Sequence, residues 1–459
     1  MREALLAGQA PDGGLYMPTR FPKLSRAELE AFRAMPYHRI AADVIGRFAA
    51  GVLDASLVAE LCADAYNYPV PLQPVYDRVH VMRLDQGPTA SFKDFAARMM
   101  ARLISHFLRE DGRELTILTA TSGDTGSAVA SAFHNLPGVR VVVLFPIDEV
   151  SARQRRQMTT LGGNITAIAI DGKFDDAQAM VKRAFADGEL KHIPLSSANS
   201  INIGRLIPQS VYYFHAWSRL TTGEEPIVIC TPSGNFGNMM GAVFARQMGM
   251  PVKRIVVPVN ENNEIPEFLR TDVYTKIEPS RACLSNAMNV GNPSNLARLA
   301  AVYGGRIDAK GIVHRVPDLN AMRRDIFSTS ISDARTRETI VNVWRKYKLL
   351  LEPHGAVGWA GFEDYIAQEP LGDTPAAQEL PSTVPLSLRV GAARLAMNPG
   401  DAASRRSVVD LLWDLALFIE DGSLSLAERK LRDLQQELQK ALEEGAQDQE
   451  LERLMLVNG

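Results

Sequence analysis

From Val81 to about Tyr365 the chain repeats one pattern: a short apolar run, a glycine-rich turn and a stretch with helical periodicity. Four of the apolar runs have the length and the β-branched composition of buried strands, namely 115–119, 139–145, 227–230 and 254–259. Short buried strands that alternate with helices belong to sheets whose neighbouring strands run in the same direction. The repeat therefore predicts an α/β fold with a largely parallel sheet.

The rest of the chain differs from this repeat. Residues 1–80 combine helical patterns with Pro/Gly turns and predict a small, mainly helical N-terminal domain, followed by an α/β domain over 81–368. The Pro-rich segment 369–387 predicts a linker. In residues 388–459, leucines recur at intervals of seven, which indicates either a coiled-coil-like helical tail or an amphipathic helix that packs on its own domain.

Composition and charge restrict the class of protein. Fifty basic and fifty-three acidic residues give a formal net charge of -3, which favours neither nucleic acid nor an acidic membrane surface. Three widely separated cysteines predict reduced thiols, without a disulfide framework or a metal site. No apolar run approaches the roughly twenty residues of a membrane span, and the first residues lack the pattern of a signal peptide. We therefore expect a cytoplasmic protein.

Lys93 lies directly in front of a long amphipathic stretch, after a Gly-Pro turn and two hydroxyl residues. This placement predicts the lysine in the first turn of a helix, where the macrodipole disfavours the ammonium form by about 0.3–1 kcal/mol. Desolvation would act in the same direction. A partly neutral lysine can form a Schiff base with an aldehyde cofactor. For a lone lysine, a solvated position on a helix is the simpler interpretation.

Two glycine-rich turns provide backbone N–H groups at predicted helix starts. Ser233–Gly237 lacks both the lysine of a Walker loop and the spacing of a dinucleotide fingerprint, so it favours an isolated phosphate monoester. Thr121–Gly126 is suited to a substrate carboxylate. Either motif alone is also typical of an ordinary turn or helix cap.

A third polar stretch, Ser196–Arg205, precedes an apolar helix. Arg205 either binds a second phosphate in bidentate fashion or pairs with a carboxylate at the surface.

Eight segments, in order along the chain, resemble threonine synthase, a pyridoxal-phosphate enzyme of the β family, fold type II. They are GQAPDGGLYMP (8–18), GPTASFKDF (87–95), TATSGDTGSAV (119–129), LGGNITAIAIDGKFDDAQ (161–178), SSANSINIGR (196–205), PSGNFGN (232–238), LSNAMNVGNPSN (284–295) and LEPHGAVG (351–358). The resemblance covers residues 2 to about 365. It implies a tryptophan-synthase-β-like α/β fold with a small N-terminal domain.

The resemblance also implies residue roles. Lys93 would hold pyridoxal 5′-phosphate as a Schiff base and move protons as the catalytic residue. The other cofactor-binding residues would be Ser233, Gly234, Asn235, Phe236 and Gly237. The substrate-binding residues would be Ser122, Gly123, Asp124, Thr125, Asn199, Ser200, Asn202 and Arg205. Glu352 and His354 lie in a family segment near the site, where they either take part in catalysis or open a helix.

The implied reaction converts O-phospho-L-homoserine and water to L-threonine and phosphate, the last step of threonine biosynthesis. Its partner is a small-molecule substrate, and we expect a monomer or homodimer in which the tail serves self-association. Two alternatives remain open. One is another fold type II lyase or phospholyase, and the other is a non-catalytic homologue with a helical association tail.

The chain departs from the family at both ends. It begins after the short segment with which the family usually starts. At the other end, the family continues through a strand into a Thr-Ala-His-Pro-Ala-Lys-Phe-like motif, whose hydroxyl residue contacts the pyridine nitrogen, and this motif is missing here. From about residue 384 the chain instead resembles a helical segment of uncharacterised proteobacterial membrane-associated proteins. We therefore expect a truncated catalytic domain without that strand and its ring-nitrogen partner, weaker cofactor binding and impaired activity.

Overall fold

The computed structural model describes residues 1–121, 123–150 and 152–382. Met1–Ile340 and the described residues from Leu351 onwards form one compact unit, which contains both the predicted N-terminal domain and most of the predicted α/β domain. Of a second unit, the structure describes Val341–Leu350, which is the C-terminal part of one helix and the turn after it. The predicted helical tail, 388–459, lies outside the described residues, as does the end of the predicted linker.

The described α-helices range in length from six to nineteen residues. They are α1 (Arg2–Ala7), α2 (Arg26–Ala31), α3 (Tyr37–Ala49), α4 (Ala55–Ala65), α5 (Lys93–Asp111), α6 (Asp124–Phe133), α7 (Ala152–Thr159), α8 (Phe174–Ala186), α9 (Val211–Leu220), α10 (Gly237–Gln247), α11 (Glu264–Thr271), α12 (Leu296–Val302), α13 (Leu319–Asp325), α14 (Asp333–Tyr347) and α15 (Pro353–Gln368). Within the described part of the chain, none of them has both the length and the apolar character needed to cross a bilayer.

The described strands form three sheets. They are β1 (Leu72–Tyr76), β2 (Val79–Arg83), β3 (Leu115–Ala120), β4 (Val139–Pro146), β5 (Ile165–Ile170), β6 (Leu195–Ser196), β7 (Ile227–Cys230), β8 (Val252–Val259), β9 (Arg306–Ile307), β10 (Val313–Arg315), β11 (Ile326–Ser330) and β12 (Ala376–Leu380). The main sheet has the order β1-β2-β12-β7-β8-β11 and is parallel except for the β1–β2 hairpin. The second sheet, β5-β4-β3-β6, is parallel throughout. The short pair β9–β10 is antiparallel.

The predicted α/β architecture is confirmed, and the four predicted strands match β3, β4, β7 and β8 within two residues. The helix predicted after the Thr121–Gly126 turn begins inside that turn, at Asp124. Its first turn therefore includes Asp124 and Thr125, two of the residues predicted to bind substrate.

The prediction of a linker over 369–387 is wrong for Ala376–Leu380. This segment is β12, which lies between β2 and β7 and pairs with both in parallel. All five of its residues are buried. The expectation that the sheet lacks a strand after α15 is therefore also wrong. Pro375 and Pro381 bound the strand and do not interrupt its ladder, because neither lies inside it.

The two largest hydrophobic cores among the described residues fix the arrangement of the helices around the sheets. The larger core joins the N-terminal helices α3 and α4 to α5, α9, α10 and one face of the main sheet, with fully buried residues such as Phe95 and Trp217. The smaller core packs α5 and α6 against the second sheet, around Phe133 and Val141. Because α5 contributes to both cores, its N-terminus is fixed between the two sheets. Lys93 is the first residue of that helix.

Candidate active site

A pocket lies where three parallel strands end. The segments that follow β3, β7 and β12 all contribute to its wall, as do the N-terminus of α5 and the loop 287–290. Ligands of open α/β sheets bind at this edge, because the carboxyl ends of the strands and the N-termini of the following helices meet there. The pocket brings together most of the residues that the sequence predicted for the site.

The turn before α5 fixes the position of Lys93. The buried Asp94 carboxylate accepts hydrogen bonds from the Thr89 backbone N–H at 2.9 Å and from the Thr89 hydroxyl at 2.8 Å. A Cβ atom on Gly87 would lie 2.5 Å from an oxygen of Asp94, so only glycine allows this close approach. Burial raises the pKa of Asp94 to about 6, although the hydrogen bonds from Thr89 act against it. The turn therefore presents Lys93 from a closely packed support.

The Lys93 amine has an acidic partner in the pocket. Its Nζ lies 3.3 Å from Oδ2 of Asp124, and Oδ1 of Asp124 accepts a hydrogen bond from the Gln154 amide at 2.6 Å. Burial opposes ionisation of Asp124, but Lys93 and His354 outweigh it and lower the pKa of the carboxyl. The interpretation of Lys93 as a solvated helix lysine is wrong, because the side chain is mostly buried and ion-paired.

Glu352 opens a helix, which is one of its two predicted roles, whereas His354 lines the pocket. Glu352 caps α15 by accepting from the N–H groups of His354 and Gly355 at 2.7 Å each. His354 lines the pocket, and its Nδ1 lies 2.6 Å from Oε2 of Glu352. Burial opposes the charged imidazole, yet Glu352 and Asp124 raise its pKa above the usual value. Its Nε2 accepts from the Ala287 N–H at 3.1 Å, so protonation there would break the contact that holds the loop 287–290.

The loop after β7 presents a cradle of backbone donors. The N–H groups of Gly234, Asn235, Phe236 and Gly237 form no hydrogen bond with another residue that the structure describes. Three of these residues line the pocket at the start of α10, and Ser233 and Asn238 flank them. Phe236 is buried in the core with a φ of 59°, so only its backbone is available to a ligand. Free N–H groups at a helix N-terminus fit a phosphate monoester.

Gly234 leaves no room for a side chain. We predict that Gly234→Ala weakens the binding of pyridoxal phosphate, the cofactor that the resemblance implies, by about a hundredfold or more. A Cβ there would lie 2.7 Å from the Cα of Met288, which is backbone and cannot rotate away. Equilibrium dialysis measures the change. Gly188→Ala is the matched control, because nothing lies within 4 Å of a Cβ at that glycine. Equal affinities for the two variants would contradict the prediction.

The polar stretch before α9 contributes three of its four predicted residues. Asn199, Ser200 and Arg205 line the pocket. The Ser200 hydroxyl oxygen accepts from the amides of Asn235 at 2.7 Å and Asn295 at 3.1 Å, which leaves its own proton for a ligand oxygen. Arg205 is buried, so its interpretation as a surface arginine is wrong.

Asn202 does not contribute to the pocket, and its predicted role in substrate binding is corrected. Its amide donates to the carbonyl oxygens of Leu5 at 2.9 Å and Ser197 at 3.0 Å, and its Oδ1 accepts from the Gly204 N–H. The side chain therefore ties α1 to the polar stretch.

The buried Arg298 supports the pocket from behind. Its guanidinium donates to the carbonyl oxygens of Tyr16, Ser200 and Ile201 and to the side chain of Asn295, at 2.6–3.0 Å. It thereby links the N-terminal segment to the two loops that carry Ser200 and Asn295. Sequence reasoning missed this residue, because nothing local distinguishes it from a surface arginine on a helix.

The structure also places the remaining predicted residues. Asp124 and Thr125 line the pocket, whereas Gly123 caps α6 next to it and Ser122 lies outside the described residues. Residues that sequence reasoning had not assigned also line it, among them Gln209, Asn238, Met288, Pro381 and Ser382. Asn238 directly follows the SGNFG motif, which was an available signal. Ser382 had no such signal, because it falls in the segment interpreted as a linker.

Comparisons with known proteins agree with this geometry. A family model described as pyridoxal-phosphate dependent enzyme matches residues 69–375, and one described as threonine synthase N terminus matches residues 1–66. A domain of unknown function (DUF4175) matches residues 367–456. This last match fits the change of family predicted for the C-terminal part, and it includes β12.

Individual relatives give the same result. The chain is 35% identical to threonine synthase from Escherichia coli over 366 residues, which is 79% of this chain and 82% of that protein. It is 38% identical to threonine synthase from Pseudomonas aeruginosa over 378 residues, 78% and 80% of the two chains. The crystal structure of pyridoxal-phosphate-bound threonine synthase from Brucella melitensis superposes with a TM-score of 0.76 at 32% identity, over 83% of this chain and 85% of that one.

Proposed function

The chain belongs to the threonine synthase family of pyridoxal-phosphate-dependent fold type II enzymes, and we propose that it converts O-phospho-L-homoserine and water to L-threonine and phosphate. Its cofactor is pyridoxal 5′-phosphate. The observation that carries the proposal is that the Lys93 amine and the free N–H groups of Gly234–Gly237 face one pocket.

The bound cofactor supplies an electron sink that stabilises negative charge on the substrate carbons near the amino group. In our proposal Lys93 holds the aldehyde end of the cofactor, and Gly234–Gly237 hold its phosphate. Once released from the cofactor, the Lys93 amine serves as base and then as acid at neighbouring carbon atoms. Asp124 orients this amine through the 3.3 Å ion pair.

The substrate phosphate requires its own donors. We assign this role to Ser200 and Arg205, with Asn199 beside them, because all three line the pocket and are polar. Thr125 and the N-terminus of α6, which includes Gly123 and the undescribed Ser122, are assigned to the substrate carboxylate. Helix N-termini favour anions, so this placement suits a carboxylate.

Ser382 is our candidate for the hydroxyl residue beside the pyridine nitrogen, for which the sequence offered no residue. It follows β12, lines the pocket and pairs with Ser91 two residues before Lys93. The Phe92 N–H donates to the Pro381 carbonyl at 2.8 Å, which ties the end of β12 to the lysine turn. We propose that the Ser382 hydroxyl contacts the pyridine nitrogen of the cofactor, in place of the hydroxyl residue of the missing family motif. With this contact the site retains activity.

One assay tests the proposed function. The purified chain, loaded with pyridoxal phosphate, is given O-phospho-L-homoserine, and phosphate, threonine and keto acid are measured. Equal yields of threonine and phosphate are expected. Phosphate with a keto acid would instead identify another lyase of this fold. Retained cofactor without any product would identify a non-catalytic homologue.

We further propose that the protein acts in the cytoplasm, as a monomer or homodimer, with the C-terminal tail as the self-association element. The three cysteines support the location, because all are buried and unpaired in the structure. Sedimentation of the full chain and of a chain without the tail tests the role of the tail.

A further inference from the structure

Glu379 is an unusual residue for its position. It lies in β12, at the centre of the main sheet, with no exposed surface. Strands of this kind are normally apolar on both faces, because helices or loops cover them. A carboxyl group buried there is unfavourable when charged, unless it is paired and hydrogen-bonded. The groups around the Glu379 carboxyl therefore decide how unfavourable its charged form is.

Polar but uncharged groups surround the carboxyl. Oε2 accepts from the Asn238 amide at 2.8 Å, and Oε1 accepts from the Tyr213 hydroxyl. The other titratable or polar groups that face it are Thr231 and Cys230 from the β7 segment and Tyr212 from α9. Among the described residues no cation is recorded against it. Burial raises the pKa of Glu379 to about 7, despite the hydrogen bonds that it accepts.

Asn238 connects this carboxyl to the phosphate cradle. Its Nδ2 donates to Glu379 and also to the Pro232 carbonyl at 3.0 Å. Its Oδ1 therefore faces the other way and accepts from the Ser233 hydroxyl at 2.6 Å. Ser233 and Asn238 both line the pocket beside Gly234. One side chain thus separates Glu379 from the loop.

We propose that Glu379 is a positioning residue that links occupation of the phosphate cradle to uptake of a proton. A phosphate dianion in the loop disfavours a second negative charge behind Asn238, so Glu379 binds a proton when the ligand binds. This inference rests on the proposed function, because that function places the cofactor phosphate in the Gly234 loop.

The surrounding groups can accommodate both forms of the carboxyl. When Glu379 is ionised, Tyr213 donates to it. When Glu379 is protonated, the Tyr213 hydroxyl donates instead to the backbone carbonyl oxygen of Asn238, 2.9 Å away. The Tyr213 hydroxyl oxygen then accepts a hydrogen bond from the protonated carboxyl. No buried group loses its partner in the exchange. Affinity for the phosphate should consequently fall as the pH rises through the range in which free Glu379 loses its proton.

Calorimetry tests the proposal with 4′-deoxypyridoxine 5′-phosphate, which carries the phosphate but has no aldehyde to react with Lys93. Titrations at pH 7.5 in buffers of different ionisation enthalpy give the number of protons taken up. We expect the wild-type chain to take up about half a proton more than Glu379→Gln. From pH 6.5 to 8.5 its affinity should fall about tenfold relative to that variant. The ionisation of the ligand itself cancels in this comparison.

Glu264→Gln is the matched control. Glu264 is also buried, and burial raises its pKa to about 8, but it begins α11 and does not line the pocket. This variant should take up as many protons as the wild type. Equal uptake by the wild type and Glu379→Gln, with both binding, would overturn the inference and leave the proposed function intact. If the wild type does not bind the ligand, the cradle assignment and the inference both fail.

If Glu379→Gln does not fold, the pH dependence of the wild-type affinity tests the inference by itself. The second ionisation of a phosphate monoester, with a pKa of about 6, favours tighter binding at higher pH. A wild-type affinity that nevertheless falls between pH 6.5 and 8.5 supports the inference. A constant or rising affinity overturns it.

Discussion

Replacing Lys93 with alanine should lower phosphate release from O-phospho-L-homoserine by about a thousandfold or more. Lys93 is the one lysine among the described residues that line the pocket, so no neighbour there can replace its amine. The change removes both the covalent attachment of the cofactor and the proposed acid and base. Initial rates of phosphate release at saturating cofactor measure the loss. Mass spectrometry after borohydride reduction should show the cofactor attached to the wild type only.

Lys191→Ala is the matched control, because this lysine is exposed in a short helical turn and does not line the pocket. Its activity should equal that of the wild type. Lys93→Ala also leaves Asp124 without its cationic partner, so a thermal unfolding curve is needed to show that the variant is folded. A folded Lys93→Ala chain with more than about a tenth of wild-type activity would remove Lys93 from the catalytic role.

A chain that ends at Glu369 should not fold cooperatively. It lacks β12, which joins β2 on one side to β7 on the other. Without it, the β1–β2 hairpin is separated from β7, β8 and β11, and two strands inside the sheet become unpaired edges. All five residues of β12 are buried, and Phe92 loses its hydrogen bond to Pro381. We expect the loss to exceed the entire free energy of unfolding, which is about 5–15 kcal/mol in proteins of this kind.

The matched control for this truncation is a chain that ends at residue 387, which keeps every described residue. It should show a single cooperative transition by circular dichroism and retain pyridoxal phosphate. The chain that ends at Glu369 should be insoluble or unfold without a transition. A cooperative transition at an unchanged temperature in the shorter chain would mean that β12 does not stabilise the sheet.

Much of the catalytic region was predictable from local sequence, and the reason is visible in particular residues. The apolar run 115–119 has the length and the β-branched composition of a buried strand. Turns that precede helical patterns placed Lys93, Asp124 and the Gly234 loop at or near predicted helix starts, and the structure finds all three there. Patterns of this kind are local, because periodicity and turn chemistry involve residues close together in the chain.

The same reasoning could not separate Asn199 from Asn202. Both lie in one polar stretch, three residues apart, and both have the amide that a phosphate site uses. Asn202 instead bonds the Leu5 carbonyl, 197 residues away in the sequence, whereas Asn199 lines the pocket. The position of α1 in the fold determines which of the two asparagines faces the pocket. The residues near Asn202 in the sequence carry no information about that position.

The sequence by itself determined an α/β protein with Lys93 and the Gly234 loop at helix starts, because each of these features depends on neighbours along the chain. The tertiary structure alone decided that Ala376–Leu380 is the central strand. The prolines that flank it and its own glutamine and glutamate are typical of a linker, but the backbone N–H and C=O groups of β2 and β7 require a partner between them. The same long-range pairing places Ser382 at the pocket and buries Glu379 behind the Gly234 loop.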